Sequence, residues 1–198
     1  MATNLEKNNP AFTLIELLVV IVIIGLLAGI GIASFQGSLQ RGRDSVRMST
    51  IKEVKDAVER YWVDNGNYPG TTTSYGEDNS GAGMCGGWDS SWQDKDGDGI
   101  AWVDPLVEDG YLESIPQDVS FDSGKTAGCG NYDYFRYTAG SYGCDATRGD
   151  YFVVGIRDLE ASSRPANGSP GWTCPGNGPT PARDWQTEFD WVTGKFQR

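Results

Sequence analysis

The chain has 198 residues, with 27 acidic against 16 basic side chains and a formal net charge of −11. That balance argues against a nucleic-acid-binding surface over the whole molecule. Histidine is absent, which removes the commonest general base, the triads built on it and most catalytic zinc sites.

The first element is an apolar run. Leu17 to Ala33 carries no charged or strongly polar residue, and with Phe12–Glu16 and Ser34–Phe35 it predicts a helix over residues 12–35. At about 1.5 Å per residue such a helix is roughly 36 Å long, enough to cross a bilayer. Gly31-Ile32-Ala33 before Ser34 is a small-x-small pattern, so a secretory signal peptide competes with a plain membrane anchor. Neither explains Glu16. A carboxylate inside an apolar run is costly unless partnered, and marks a functional position.

The second element follows without a strong breaker. Leu39, Val46, Ile51, Val54, Val58 and Tyr61 recur at roughly helical spacing among charged residues, which predicts an amphipathic helix over 36–65. Asn65-Gly66-Asn67-Tyr68-Pro69-Gly70 stops it. Residues 71–93 and 162–183 are rich in Gly, Ser, Thr, Asn and Pro and read as long loops. Trp88, Trp92, Trp102, Trp172 and Trp185 lie in or beside them. These rings suit a carbohydrate-binding surface or, as the favoured reading, loops folded over the core.

Within 94–100, Asp94-Lys95-Asp96-Gly97-Asp98-Gly99-Ile100 matches the opening of an EF-hand-type loop. Carboxylates of Asp94, Asp96 and Asp98 would converge on a calcium ion, with the Ile100 carbonyl added. Pro105 stands where the bidentate glutamate belongs, so Asp104 or Glu108 would have to replace it. The competing reading is a solvated Asp/Gly turn. Calcium is the one cofactor the sequence suggests. No pair of acids is singled out for catalysis, so no enzyme activity is expected.

Strands are predicted at Tyr132–Tyr137, Tyr151–Ile156 and Trp185–Phe196, the last broken by a turn at Thr193-Gly194. The fold class is α+β, a long N-terminal helix packed on a small antiparallel sheet. Cys85, Cys129, Cys144 and Cys174 all follow the apolar run, and none lies in a CxxC. An even count in such loops favours two disulfides and an oxidising compartment. Three pairings are open. Cys129–Cys144, which brackets Tyr132–Tyr137, is the expected one.

Ala11-Phe12-Thr13-Leu14-Ile15-Glu16-Leu17-Leu18-Val19-Val20 closely resembles the signal of type IV prepilins and type II secretion pseudopilins. The resemblance implies a membrane prepilin peptidase cutting between Ala11 and Phe12, N-methylation at Phe12, and Glu16 as the fifth mature residue. Glycine usually precedes the cut in that family; here it is alanine. An ammonium on Phe12 and a carboxylate on Glu16 are both expensive in lipid, and pairing across neighbouring subunits would offset both. The run from Arg43-Asp44-Ser45-Val46-Arg47 through Tyr61–Pro69 looks like the long-helix end of pseudopilin-like proteins, and Asp109–Asp118 like their segment leading into the sheet.

The resemblance divides the chain into a leader (1–11), a transmembrane and assembly helix (12–35), its amphipathic continuation (36–65) and an extracytoplasmic globular domain (66–198). It implies a single-pass membrane protein that becomes a pilus or pseudopilus subunit. Implied partners are copies of itself, other pilins or pseudopilins, the peptidase, an inner-membrane assembly platform and membrane lipid. Arg41, Arg43 and Arg47 after the span taken alone favour the opposite orientation. The alternative function is a secreted or anchored module that binds calcium or carbohydrate.

Overall fold

The computed structural model describes residues 12–70, 88–90, 103–119, 130–162, 164–174 and 183–198. The chain divides into two compact units, Met1–Gln40 and Arg41–Arg198. Helix α1, Leu14–Asn65, is 52 residues long and contributes to both units.

In the first unit α1 is apolar on every side. Its large side chains from Leu14 to Phe35 are 44–88% exposed. A helix hydrophobic all round belongs in a core or a membrane, and this one is long and apolar enough to cross a bilayer. Its far end stops where the sequence places the stop. Gly66 adopts φ 75°, and its N–H donates to the Trp62 carbonyl at 2.8 Å. A left-handed residue just past a helix satisfies an orphan carbonyl, and glycine does so without Cβ strain. Asn65 adds a second bond, from Nδ2 to the Tyr61 carbonyl at 3.0 Å.

Among the described residues of the second unit, four antiparallel strands lie in the order β1-β2-β3-β4. They are β1 (Asp89–Ser90), β2 (Tyr132–Tyr137), β3 (Tyr151–Ile156) and β4 (Trp191–Phe196). Tyr132 faces Ile156 across β2 and β3, and Tyr151 faces Phe196 across β3 and β4. Successive strand side chains point to opposite faces. One face (Tyr132, Tyr134, Phe152, Val154, Ile156, Trp191) meets Ile51, Val54, Ala57 and Val58 of α1, with Tyr68 and Leu106. Leu106 reaches that core from helix α2, Asp104–Glu108. Fully burying such a side chain contributes about 1.5–3 kcal/mol. The other face (Phe135, Tyr137, Tyr151, Val153, Val192, Phe196) forms a second core with Trp88, Trp185, Phe189 and the Cys144–Cys174 pair. With both faces covered, every residue of β3 is buried. That is why its sequence is a nearly continuous apolar run.

Four expectations need correction. The helix stripe is real at Ile51, Val54 and Val58, but Leu39 and Val46 are exposed while Asp44 and Arg47 are buried. Charge pairing, not apolar packing, holds that part of the helix. Thr193-Gly194 is no turn, because Gly194 sits inside β4 opposite Val153. A Cβ there would lie 2.5 Å from the Phe152 carbonyl and 2.6 Å from the Trp172 ring, so glycine marks a close approach. Residues Trp185–Thr187 form a 3-10 turn instead of the start of the last strand. The bridge is Cys144–Cys174, with Cα atoms 5.2 Å apart, not Cys129–Cys144. Cys144 can join only one partner, so its bond to Cys174 excludes the expected pair. Trp88 and Trp185 are core residues and Trp172 is half-buried, as expected of loops folded over the sheet.

Among the described residues two non-glycine residues take the left-handed conformation, Val103 and Tyr142, each with φ 52°. Each costs about 1–2 kcal/mol.

Candidate assembly site

The exposed start of α1 is built by a reciprocal cap. Thr13 N–H and Oγ1 both donate to Glu16 Oε2, at 2.8 and 2.6 Å. Glu16 N–H donates back to Thr13 Oγ1 at 3.3 Å. This is the capping-box pattern, in which a hydroxyl and a carboxylate three residues apart satisfy orphan donors of the first turn. The partial positive charge of the helix N-terminus favours an anion there. Glu16 therefore has a partner within its own chain, one turn from Phe12, which is 76% exposed. Nothing lies within 4 Å of where a Cβ would stand on Gly25 or Gly29, so another helix can approach closely along that side.

A second charged cluster escapes a reading of the sequence. Arg47 is 1% exposed. Its Nε and Nη2 donate to the two carboxylate oxygens of Asp118 at 2.7 and 2.9 Å, its Nη1 to Asp44 at 2.8 Å, and it lies 2.8 Å from Glu160. Arg43 Nε donates to Glu160 at 2.9 Å, and its Nη2 also bonds that carboxylate. Asp44 accepts the backbone N–H groups of Glu160 and Ala161, at 2.9 and 2.8 Å, and Asn131 Nδ2 donates to Asp118 at 2.7 Å. Burial alone would push the Arg47 pKa down; the hydrogen bonds to Asp118, Glu160 and Asp44 outweigh it and push it up. The only sequence signal was the spacing of Arg43, Asp44 and Arg47 beside an apolar stripe, which reads by default as a solvated face.

Of the other expected positions, Ala11, Asp94, Asp96, Asp98, Ile100, Cys85 and Cys129 lie outside the described residues, as do Trp92 and Trp102. Asp104 is the half-buried first residue of α2. Among the described residues no group of three His, Cys, Asp or Glu side chains could hold a metal ion.

Residues 7–32, which include Phe12, Thr13 and Glu16, match the prokaryotic N-terminal methylation motif. The chain is 38% identical over 68 residues to a fimbrial protein of Neisseria meningitidis serogroup B, covering 34% of this chain and 40% of that one. It is 34% identical over 73 residues to the type II secretion system core protein G of Aeromonas hydrophila, 37% of this chain and 50% of that one. It is 35% identical over 68 residues to the type IV major pilin protein PilE1 of Neisseria gonorrhoeae, 34% and 41%. The matches thus span half or less of these relatives' length. No solved structure matches the chain.

Proposed function

We propose that the chain is a structural subunit of a type IV pilus-like or secretion pseudopilus filament, with no catalytic role. The observation that carries this reading is the apolar half of α1, exposed on all sides and bearing a methylation motif with Glu16 at its head. Such a surface has no place in water. It suits lipid first and the apolar flanks of neighbouring copies afterwards. Prepilin peptidase cuts between Ala11 and Phe12, Phe12 is N-methylated, and an assembly platform in the inner membrane feeds subunits into the filament. On entry, Glu16 exchanges its Thr13 partners for the terminal amine of an adjacent copy, which sets the axial register. The globular domain lies outside the cytoplasm, which its Cys144–Cys174 bridge favours.

Mass spectrometry of the mature N-terminus is expected to find a methylated Phe12; a terminus at Ser34 would overturn the reading. Glu16→Ala is expected to insert into the membrane normally yet yield no filament, and normal filaments from it would refute the register role.

We also propose that Asp94, Asp96, Asp98 and the Ile100 carbonyl, aided by Asp104, hold calcium, on the strength of the D-x-D-x-D-G pattern. A chelator is expected to lower the melting temperature, and Asp96→Ala to abolish that response. A wild-type protein indifferent to chelator has no such site.

A further inference from the structure

We propose that Asn167 is a self-modifying position: its side-chain amide condenses with the backbone nitrogen of Gly168 and leaves aspartate or isoaspartate behind. The sequence holds three Asn-Gly pairs, Asn65-Gly66, Asn167-Gly168 and Asn177-Gly178. Asparagine is thermolabile, and a glycine after it leaves the attacking nitrogen without a neighbouring Cβ. By sequence the three pairs are equivalent. Asn177 and Gly178 lie outside the described residues, and the structure separates the other two.

Asn167 and Gly168 form the exposed tip of a tight turn. Ser169 N–H donates to the Ala166 carbonyl across it at 3.0 Å, and Gly168 has φ 86°, which suits glycine at the third position of such a turn. Both ends are fastened beside the start of β4. Ala166 N–H donates to the Asp190 carbonyl at 2.7 Å, and Val192 N–H donates to Ser169 Oγ at 3.1 Å. The tip itself is not held. Among the described residues no group bonds the Asn167 amide or the Gly168 N–H, and nothing lies within 4 Å of where a Cβ would stand on Gly168. Asn65-Gly66 is the opposite case. Gly66 N–H donates to the Trp62 carbonyl at 2.8 Å, and Asn65 Nδ2 donates to the Tyr61 carbonyl at 3.0 Å and to Tyr111 Oη at 3.3 Å. There the nucleophile and the leaving group are both engaged at the end of α1. Losing those bonds before attack slows Asn65 relative to Asn167 by about tenfold or more.

The reaction needs only water. The Gly168 nitrogen gives its proton to solvent and bonds to Asn167 Cγ. The Cγ–Nδ2 bond breaks, and the amino group takes a proton from water and leaves as ammonia. One water then opens the succinimide ring at either carbonyl. Opening at Cγ gives aspartate. Opening at the main-chain carbonyl gives isoaspartate, whose backbone runs through Cγ and is one CH2 longer. The balance is amide plus water to carboxylic acid plus ammonia, with no change of oxidation state. Either product adds a negative charge to the turn. The longer link also changes the spacing of Ala166 and Ser169, which are both tied to the strand.

The test is peptide mapping by tandem mass spectrometry of the full chain, solubilised in detergent and incubated at alkaline pH, with a urea-unfolded sample alongside. In the folded protein Asn167 is expected to gain one dalton about tenfold or more faster than Asn65. In urea the two rates should converge, because the contrast comes from folded structure. A protein isoaspartyl methyltransferase should label the Asn167 peptide of aged wild-type protein, and Asn167→Gln should lose that label, since its ring would need one more atom. Folded-state rates that are equal at the two sites or faster at Asn65 overturn the proposal. So do an unchanged Asn167 in folded protein and a contrast that persists in urea. A glycan on Asn167, which Asn167-Gly168-Ser169 could equally accept, overturns it too. The readout uses the unassembled chain, so it stands or falls apart from the filament reading.

Discussion

Replacing Arg47 with alanine is expected to lower the unfolding free energy by about 3–5 kcal/mol. Against a typical total of about 5–15 kcal/mol, that is enough to leave the globular unit marginal. The side chain sits among Asp44, Asp118 and Glu160, whose own side chains are 5–14% exposed. Truncation does not merely delete three attractions. It removes from the buried Asp118 carboxylate the guanidinium that donates to both of its oxygens, leaving a charge less well compensated than before. Glu160 keeps Arg43, and Asp44 keeps two backbone donors. The main penalty therefore falls on Asp118, and that makes the cause testable. Arg47→Met combined with Asp118→Asn is expected to be more stable than Arg47→Met alone, since the poorly compensated charge is gone. Thermal or urea unfolding of the three variants decides it. A loss under about 1 kcal/mol in Arg47→Ala, the range of surface pairs, would mean that water enters and the cluster is not a buried one.

Breaking Cys144–Cys174 is expected to cost about 2–5 kcal/mol. The bridge spans 30 residues of sequence, and all of β3 lies within that loop. Without the bridge the unfolded chain regains the freedom of that loop. In the folded state the bridge also lines the second core, with both cysteines 3% exposed or less. The double variant Cys144→Ser, Cys174→Ser should therefore unfold at markedly lower denaturant concentration, with tryptophan fluorescence reporting the loss around Trp88 and Trp185. Non-reducing peptide mapping should recover a fragment joining the two cysteines. A Cys129–Cys144 fragment in its place would contradict the structure.

Much of this was legible in the sequence, and the misses share a cause. β2 and β3 fall where short, nearly continuous aromatic and apolar runs put them, because an apolar strand covered on both faces has few other readings. The end of α1 was legible because Gly66 and Pro69 allow little else. The motif around Glu16 was legible because a lone carboxylate in an apolar run has no bland explanation. What failed depended on partners distant in the chain. Arg47 reads as a surface charge until Asp118 and Glu160 are brought to it. Gly194 reads as a turn until the Trp172 ring is seen to fill the space of its side chain. Cysteine spacing does not encode which loops meet, so Cys174, at the far side of β3, was passed over for a nearer neighbour of Cys144.

The charge cluster also fixes an order of events in folding. Strands β2, β3 and β4 pair in the order of the chain, so each finds its partner soon after it is made. Helix α1 needs only local hydrogen bonds to begin. Its arginines, however, wait for carboxylates 71 residues ahead at Asp118 and 117 residues ahead at Glu160. Contacts of that separation require the closure of long loops and slow folding. A ribosome that has just released residue 118 therefore exposes a helix whose Arg43 has no acid to meet. The first element made therefore waits for residue 160 before its charges are paired.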